Sequence, residues 1–90
     1  MHDFTLLNIN VEWATGIAKI ALLNNKSLEA SIRIDGLILI KIPRLNEWGE
    51  SISINSAKSG ISSCGNMSLN IEMQSGDIIE IIAEKIALPD

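Results

Sequence analysis

Ninety residues, 47% of them hydrophobic, with a mean hydropathy of +0.26 and only 20% charged, allow one folded unit over residues 1–90 and leave an apolar surplus that so small a core does not absorb. Seven cations against eleven carboxylates give a net charge of −4, the cations are scattered, and there are three aromatic residues, which excludes a phosphate-tracking or base-stacking surface for nucleic acid. One cysteine excludes an internal disulfide; with no cationic leader and no apolar run long enough to span a bilayer, the expectation is a cytoplasmic chain without a membrane segment.

Alternation with period two runs through most of the chain and predicts strands. Leu7, Ile9, Val11 and Trp13 share one face, with Asn8, Asn10 and Glu12 on the other. A three-residue loop, Ala14-Thr15-Gly16, leads into a second strand over Ile17 to Leu23, with glycine in the left-handed position. This register sets Trp13 beside Ile17, Ile9 beside Ala21 and Leu7 beside Leu23. It also leaves Lys19 opposite Val11, a mismatch that snorkelling would relieve.

Asn24-Asn25-Lys26-Ser27 is a turn signal. Leu28, Ala30, Ile32 and Ile34 then alternate with Glu29, Ser31, Arg33 and Asp35. Asp35-Gly36 is a two-residue hairpin cue, and a bend within one long strand is the other reading. Leu37 to Ile42 is apolar on both faces and stops at Pro43. Residues 44–50 read as an ordered loop, Ser51 to Asn55 as a short strand, and the Ser- and Gly-rich stretch Ser56 to Asn66 as a flexible connection.

Ser68 to Met73 and Asp77 to about Ile86 form the last hairpin. With Gln74-Ser75-Gly76 as its loop, Ile71 faces Ile79 and Leu69 faces Ile81. A helix capped by Asp77 also fits the second of these segments, but the density of isoleucine favours a strand. The stretches Asn10-Val11-Glu12-Trp13-Ala14-Thr15-Gly16 and Asn70-Ile71-Glu72-Met73-Gln74-Ser75-Gly76 are nearly alike, and both read as a strand end followed by the same turn. The predicted fold is all-β: about seven short antiparallel strands, rich in meanders, in a sandwich or a partly open barrel.

Chemistry is sparse. His2, the single histidine, sits at the terminus, so no serine or cysteine triad has a natural base. Cys64 has no neighbouring cation to make it a thiolate, and one Cys with one His far away gives no metal-ligand pattern. Gly60 and Gly65 lack the Lys-Ser/Thr that completes a phosphate loop. The expectation is a non-enzyme with no catalytic residues, no cofactor and no metal.

Two features suggest contact with other molecules. Ile38, Ile40 and Ile42 alternate away from Leu37 and Leu39, and Ile78, Ile82 and Ile86 alternate away from Ile79, Ile81 and Ala83. If the sheet has one core side, these six isoleucines lie on its outside; either the strands curl into a barrel or sandwich that uses both faces, or a second subunit covers them, and the expectation is a homodimer whose interface includes part of this set. Trp48, in a loop beside Gly49, is either a plug over the core or an anchor for a partner or ligand.

The segments Ile42-Pro43-Arg44, Trp48-Gly49-Glu50-Ser51, Ser53-Ile54-Asn55 and Ile71-Glu72-Met73-Gln74-Ser75-Gly76-Asp77-Ile78-Ile79-Glu80-Ile81 resemble a pattern in small bacterial proteins of the immunity or mobile-cassette type. The resemblance covers roughly the second half of the chain. It implies a non-catalytic, immunity-like or accessory protein–protein interaction module with a bacterial protein partner such as a toxin. The alternative reading is a small-ligand-binding barrel with its pocket near Trp48.

Overall fold

In a computed structural model, residues 3–43, 53–62 and 65–89 are described. Among them are six strands: β1 (Thr5–Glu12), β2 (Ile17–Leu23), β3 (Glu29–Lys41), β4 (Ile54–Ile61), β5 (Met67–Met73) and β6 (Ile78–Ala87). They form one antiparallel sheet in the order β1-β2-β3-β6-β5-β4. Each set of three consecutive strands is a meander, and β3 pairs with β6 to join the two sets.

The two ends of this order meet at one point. The Ile54 N–H donates to the Phe4 carbonyl at 2.7 Å, the Asp3 N–H donates to the Ile54 carbonyl at 3.0 Å, and Thr5 bridges Ser53. The single sheet is therefore curled until its two edges touch, which matches the partly open barrel of the two expected architectures. Its inner face holds the core: Ile20, Ile32, Ile34, Ile54, Ile71, Ile79 and Ile81 are fully buried, together with Leu22, Leu69 and Met73. Cross-strand rows such as Ile9–Ile20–Ile32 and Leu69–Ile81–Ile40 put one apolar chain directly against the next.

Six strands stand where seven are expected because Asp35-Gly36 does not turn the chain. Gly36 takes a left-handed φ of 63°, and β3 continues through it as one strand of 13 residues. The expected flexible stretch from Ser56 is also regular over its first part: β4 runs on to Ile61, laddered to β5 from Ile54↔Met73 to Ile61↔Met67. The segment from Asp77 is strand, not helix.

The turn after β2 is held by a side chain. Asn24 Oδ1 accepts from the N–H groups of Lys26 (2.8 Å) and Leu28 (3.0 Å), which lets Ser27 sit at φ 61°.

The two look-alike stretches make different turns. After β5 the Gly76 N–H donates to the Met73 carbonyl at 2.9 Å, closing the predicted three-residue loop; Ile71 faces Ile79 and Leu69 faces Ile81 as expected. After β1 the Gly16 N–H reaches back one residue further, to the Glu12 carbonyl at 3.0 Å. The loop becomes four residues, Trp13 to Gly16, and Glu12 pairs with Ile17. This slip of one residue places Ile9 against Ile20 and Val11 against Ala18 on the inner face, and Lys19 against Asn10 on the outer face. The Lys19–Val11 mismatch is thereby removed. Leu7 is extruded by a bulge between Leu6 and Asn8, and Leu6 is buried in its stead.

The two turns also occupy different places in the two meanders. One joins the first and second strands of its meander, the other the second and third. The short repeat is recurring strand-and-turn chemistry and does not follow the similarity of the two halves.

Two outcomes follow for stability. Ile20→Val should lower unfolding free energy by about 1 kcal/mol in a urea titration, since it deletes one methylene-sized group at a fully buried site; no change would place Ile20 outside the core. Gly36→Ala should cost about 1–2 kcal/mol from its left-handed backbone alone. The new Cβ would also fall 2.8 Å from the Glu84 Cβ. Truncating Glu84 to alanine in that background removes the contacts with Oε2 and Cδ but keeps the one with Cβ, so stability should not return; full recovery would locate the cost in the outer part of the Glu84 side chain and not in the backbone.

Candidate functional site

The irregularities of β3 and β6 decide which apolar residues face outward. On β3, Ile34 points in, Leu37 points in again, and a bulge between Leu37 and Leu39 leaves Ile38 without a partner on β6. On β6, Ala83 and Ile86 both point in, although three residues apart. Strict alternation fails on both strands around Gly36, and the six predicted interface isoleucines are redistributed.

Ile86 is corrected most strongly. It is 5% exposed, lies opposite Ile34 and belongs to the core. Ile40 lies opposite Ile81 and packs against the core. Ile38 is 57% exposed, while Ile42 and Ile78 are 43% exposed. Ile82 is half-buried on the outer face, where it pairs with Leu39, itself 45% exposed. Leu39, expected on the inner side, thus belongs with the outward set. Trp48, His2 and Cys64 lie outside the described residues.

Trp13 is displaced as well, and furthest into solvent. The three-residue loop would have aimed it into the sheet; the four-residue loop carries it out, 91% exposed. The difference from Met73, its counterpart in the second stretch, is large: Met73 is 2% exposed. The available signal was Lys19. A cation forced opposite Val11 marked the register as one residue out, and correcting it moves Trp13 into the loop.

The Trp13 hairpin is tied to β3 by one backbone bond, from the Leu37 N–H to the Gly16 carbonyl at 2.9 Å. Beside that tie lies a recess of about 300 Å3, lined by Trp13, Val11, Leu37, Ile38, Leu39 and Ile40 together with Glu12. The Thr15 hydroxyl donates to Glu12 Oε2 at 3.3 Å. Glu12 is the one charged residue in the lining.

The outer face of β1 to β3 offers a contrast. A recess of about 420 Å3 there is lined by Asn10, Glu12, Ile17, Lys19, Ser31 and Arg33. Its charges are balanced locally. Arg33 donates through Nε and Nη2 to the Asp35 carboxylate, both at 3.1 Å, and this hydrogen bond, followed by the charge of Asp35, raises the Arg33 pKa. Both side chains are substantially solvated, so the pair contributes little to stability. Lys41 and Glu80, at 3.9 Å, form a similarly solvated pair beside Leu39 and Ile82. Among the described residues no three His, Cys, Asp or Glu side chains are grouped to hold a metal ion, and no helix is long and apolar enough to cross a membrane.

Trp13→Ala should leave stability within about 0.5 kcal/mol of the parent in dilute solution, because an exposed ring has no core contacts to lose. A loss of about 3–5 kcal/mol, the cost of truncating a buried aromatic ring, would place Trp13 in the core.

Comparison of the chain with protein-family models, with curated proteins and with solved structures finds no match.

Proposed function

We propose that this chain is a non-catalytic protein–protein interaction module, immunity-like or accessory in a bacterial cytoplasm, acting through the apolar surface at the β1–β2 turn and the second half of β3. The observation that carries this reading is Trp13, 91% exposed beside Ile38 and Leu39 in a lining with one charged residue. Aromatic rings flanked by aliphatic side chains and short of charge are the composition of interface centres. A tryptophan held in water on a monomer serves no core, and its neighbours on β3 enlarge the patch beyond a scattered surface residue. The partner class fitting such a surface is a protein with an apolar knob or groove, a toxin or a second copy of the chain among them.

A second reading, a small apolar ligand held in the recess, has its volume in favour: about 300 Å3 is at the lower end of ligand pockets. The recess has few polar groups to orient a small molecule, however, and Trp13 stands over it mostly in solvent. The sequence-based location of such a pocket, near Trp48, lies outside the described residues.

Native mass spectrometry of the purified chain separates the two. The interaction reading predicts a polypeptide mass without an adduct, alone or in multiples of the chain. A bound mass of a few hundred daltons that disappears on denaturation and is absent from Trp13→Ala would replace it with the ligand-binding reading.

A further inference from the structure

Resting on that reading, we propose that the protein docked at this surface is a second copy of the chain, related by a two-fold axis that sets each Trp13 ring into the recess of the other copy. Knob and hole lie side by side on one molecule: Trp13 projects from the hairpin, and the recess opens directly between that hairpin and Leu37 to Ile40 of β3. A surface carrying both halves of a contact is complementary to itself, and a two-fold axis through its margin satisfies both halves at once. A partner without such a knob would leave one half of the contact unfilled.

Size agrees with one ring per recess. The recess of about 300 Å3 accommodates an indole; Val11, Leu37, Ile38, Leu39 and Ile40 give that ring aliphatic walls, and the recess's own Trp13 is a further wall against which it packs. The two rings meet near the axis, where an offset or edge-on arrangement is favourable. Each indole N–H needs an acceptor on being desolvated, and the Glu12 carboxylate in the lining is one.

Area sets the strength. A stable interface takes about 800 Å2 from each partner, and one aromatic ring supplies roughly 150–250 Å2 of it. Ile38, Leu39 and the half-buried Ile82 extend the patch along β3 and β6, flanked by the Lys41–Glu80 pair. A contact built around one ring with Ile38, Leu39 and Ile82 on each copy makes association reversible and dependent on concentration. Charge sets its salt response. Each chain carries −4, so two copies repel outside an apolar contact, and salt that screens this repulsion tightens the dimer. Docking of a basic partner would be loosened by the same salt.

The test is sedimentation equilibrium of the chain over a hundredfold concentration range, at low and at high sodium chloride. The expected mass rises from 9.8 kDa toward twice that value, and at a lower concentration in high salt. Trp13→Ala and Ile38→Lys, one on the knob and one on the recess, should both stay at 9.8 kDa throughout, with thermal unfolding unchanged in dilute solution. In a Trp48→Phe background, Trp13 emission should shift to the blue and lose acrylamide quenching in step with the mass. A chain that stays monomeric, a dimer that either variant leaves intact, or a mass that falls with salt would each overturn self-docking. A monomer free of any small-molecule adduct rejects self-docking alone; a denaturation-sensitive adduct in the recess rejects the interaction reading beneath it.

Discussion

The antiparallel pairing of β3 with β6 joins two meanders that would otherwise each expose an apolar face. Ladders within a meander close over two short turns and form from local contacts. The β3–β6 ladder closes over residues 42–77, β4 and β5 included, and it is what turns two small sheets into one enclosed core. Ile34 against Ile86, Leu37 against Ala83 and Ile40 against Ile81 are the contacts that carry this union. A three-stranded meander alone buries one side at best, and a chain of ninety residues has little stability in reserve. The fold therefore depends on that seam more than on any one turn.

The seam is irregular, and its irregularity shapes the surface. A sheet that curls tightly enough to meet itself cannot keep ideal alternation along its longest strands. Gly36 supplies the left-handed step and the extra residue at Ile38 supplies the bulge. Together they turn Ile86 and Ile40 inward, and Ile38 and Leu39 outward. The apolar surface beside Trp13 is thus a by-product of the curvature that closes the core, placed where β3 leaves β2 and runs on along β6 alone.

What could be read from the sequence follows the same division. The turn and register of the β5–β6 hairpin were legible, because Leu69 to Met73 and Ile79 to Ala83 alternate cleanly and a wrong register would have opposed Glu72 and Glu80; a helix from Asp77 was the other reading of the second segment. The β1–β2 hairpin was legible in kind but one residue out, since the glycine loop accommodates three or four residues and only the Lys19 mismatch discriminates. The faces of β3 and β6 were not legible beyond Gly36: an apolar run such as Leu37 to Ile42 has no polar marker to show where alternation breaks. Asp35-Gly36 misled for a related reason. A left-handed glycine serves a hairpin turn and a bend within a strand equally well, and the length of the β6 partner, absent from local sequence, decides between them. Of the six isoleucines, Ile38, Ile42, Ile78 and Ile82 lie on the outer side, the direction their alternation suggested. Trp13 and Leu39 were missed through these two errors of register.

Curvature of the β3–β6 seam and the four-residue turn after β1 place Trp13 and Leu39 outside the core. Cross-strand proton contacts measured by NMR on the isotope-labelled chain test this placement most directly. The account predicts contacts pairing Glu12 with Ile17, Val11 with Ala18 and Leu39 with Ile82, and none that pair Trp13 with Ile17. Contacts pairing Trp13 with Ile17 and Val11 with Lys19 would return Trp13 to the sheet and contradict it.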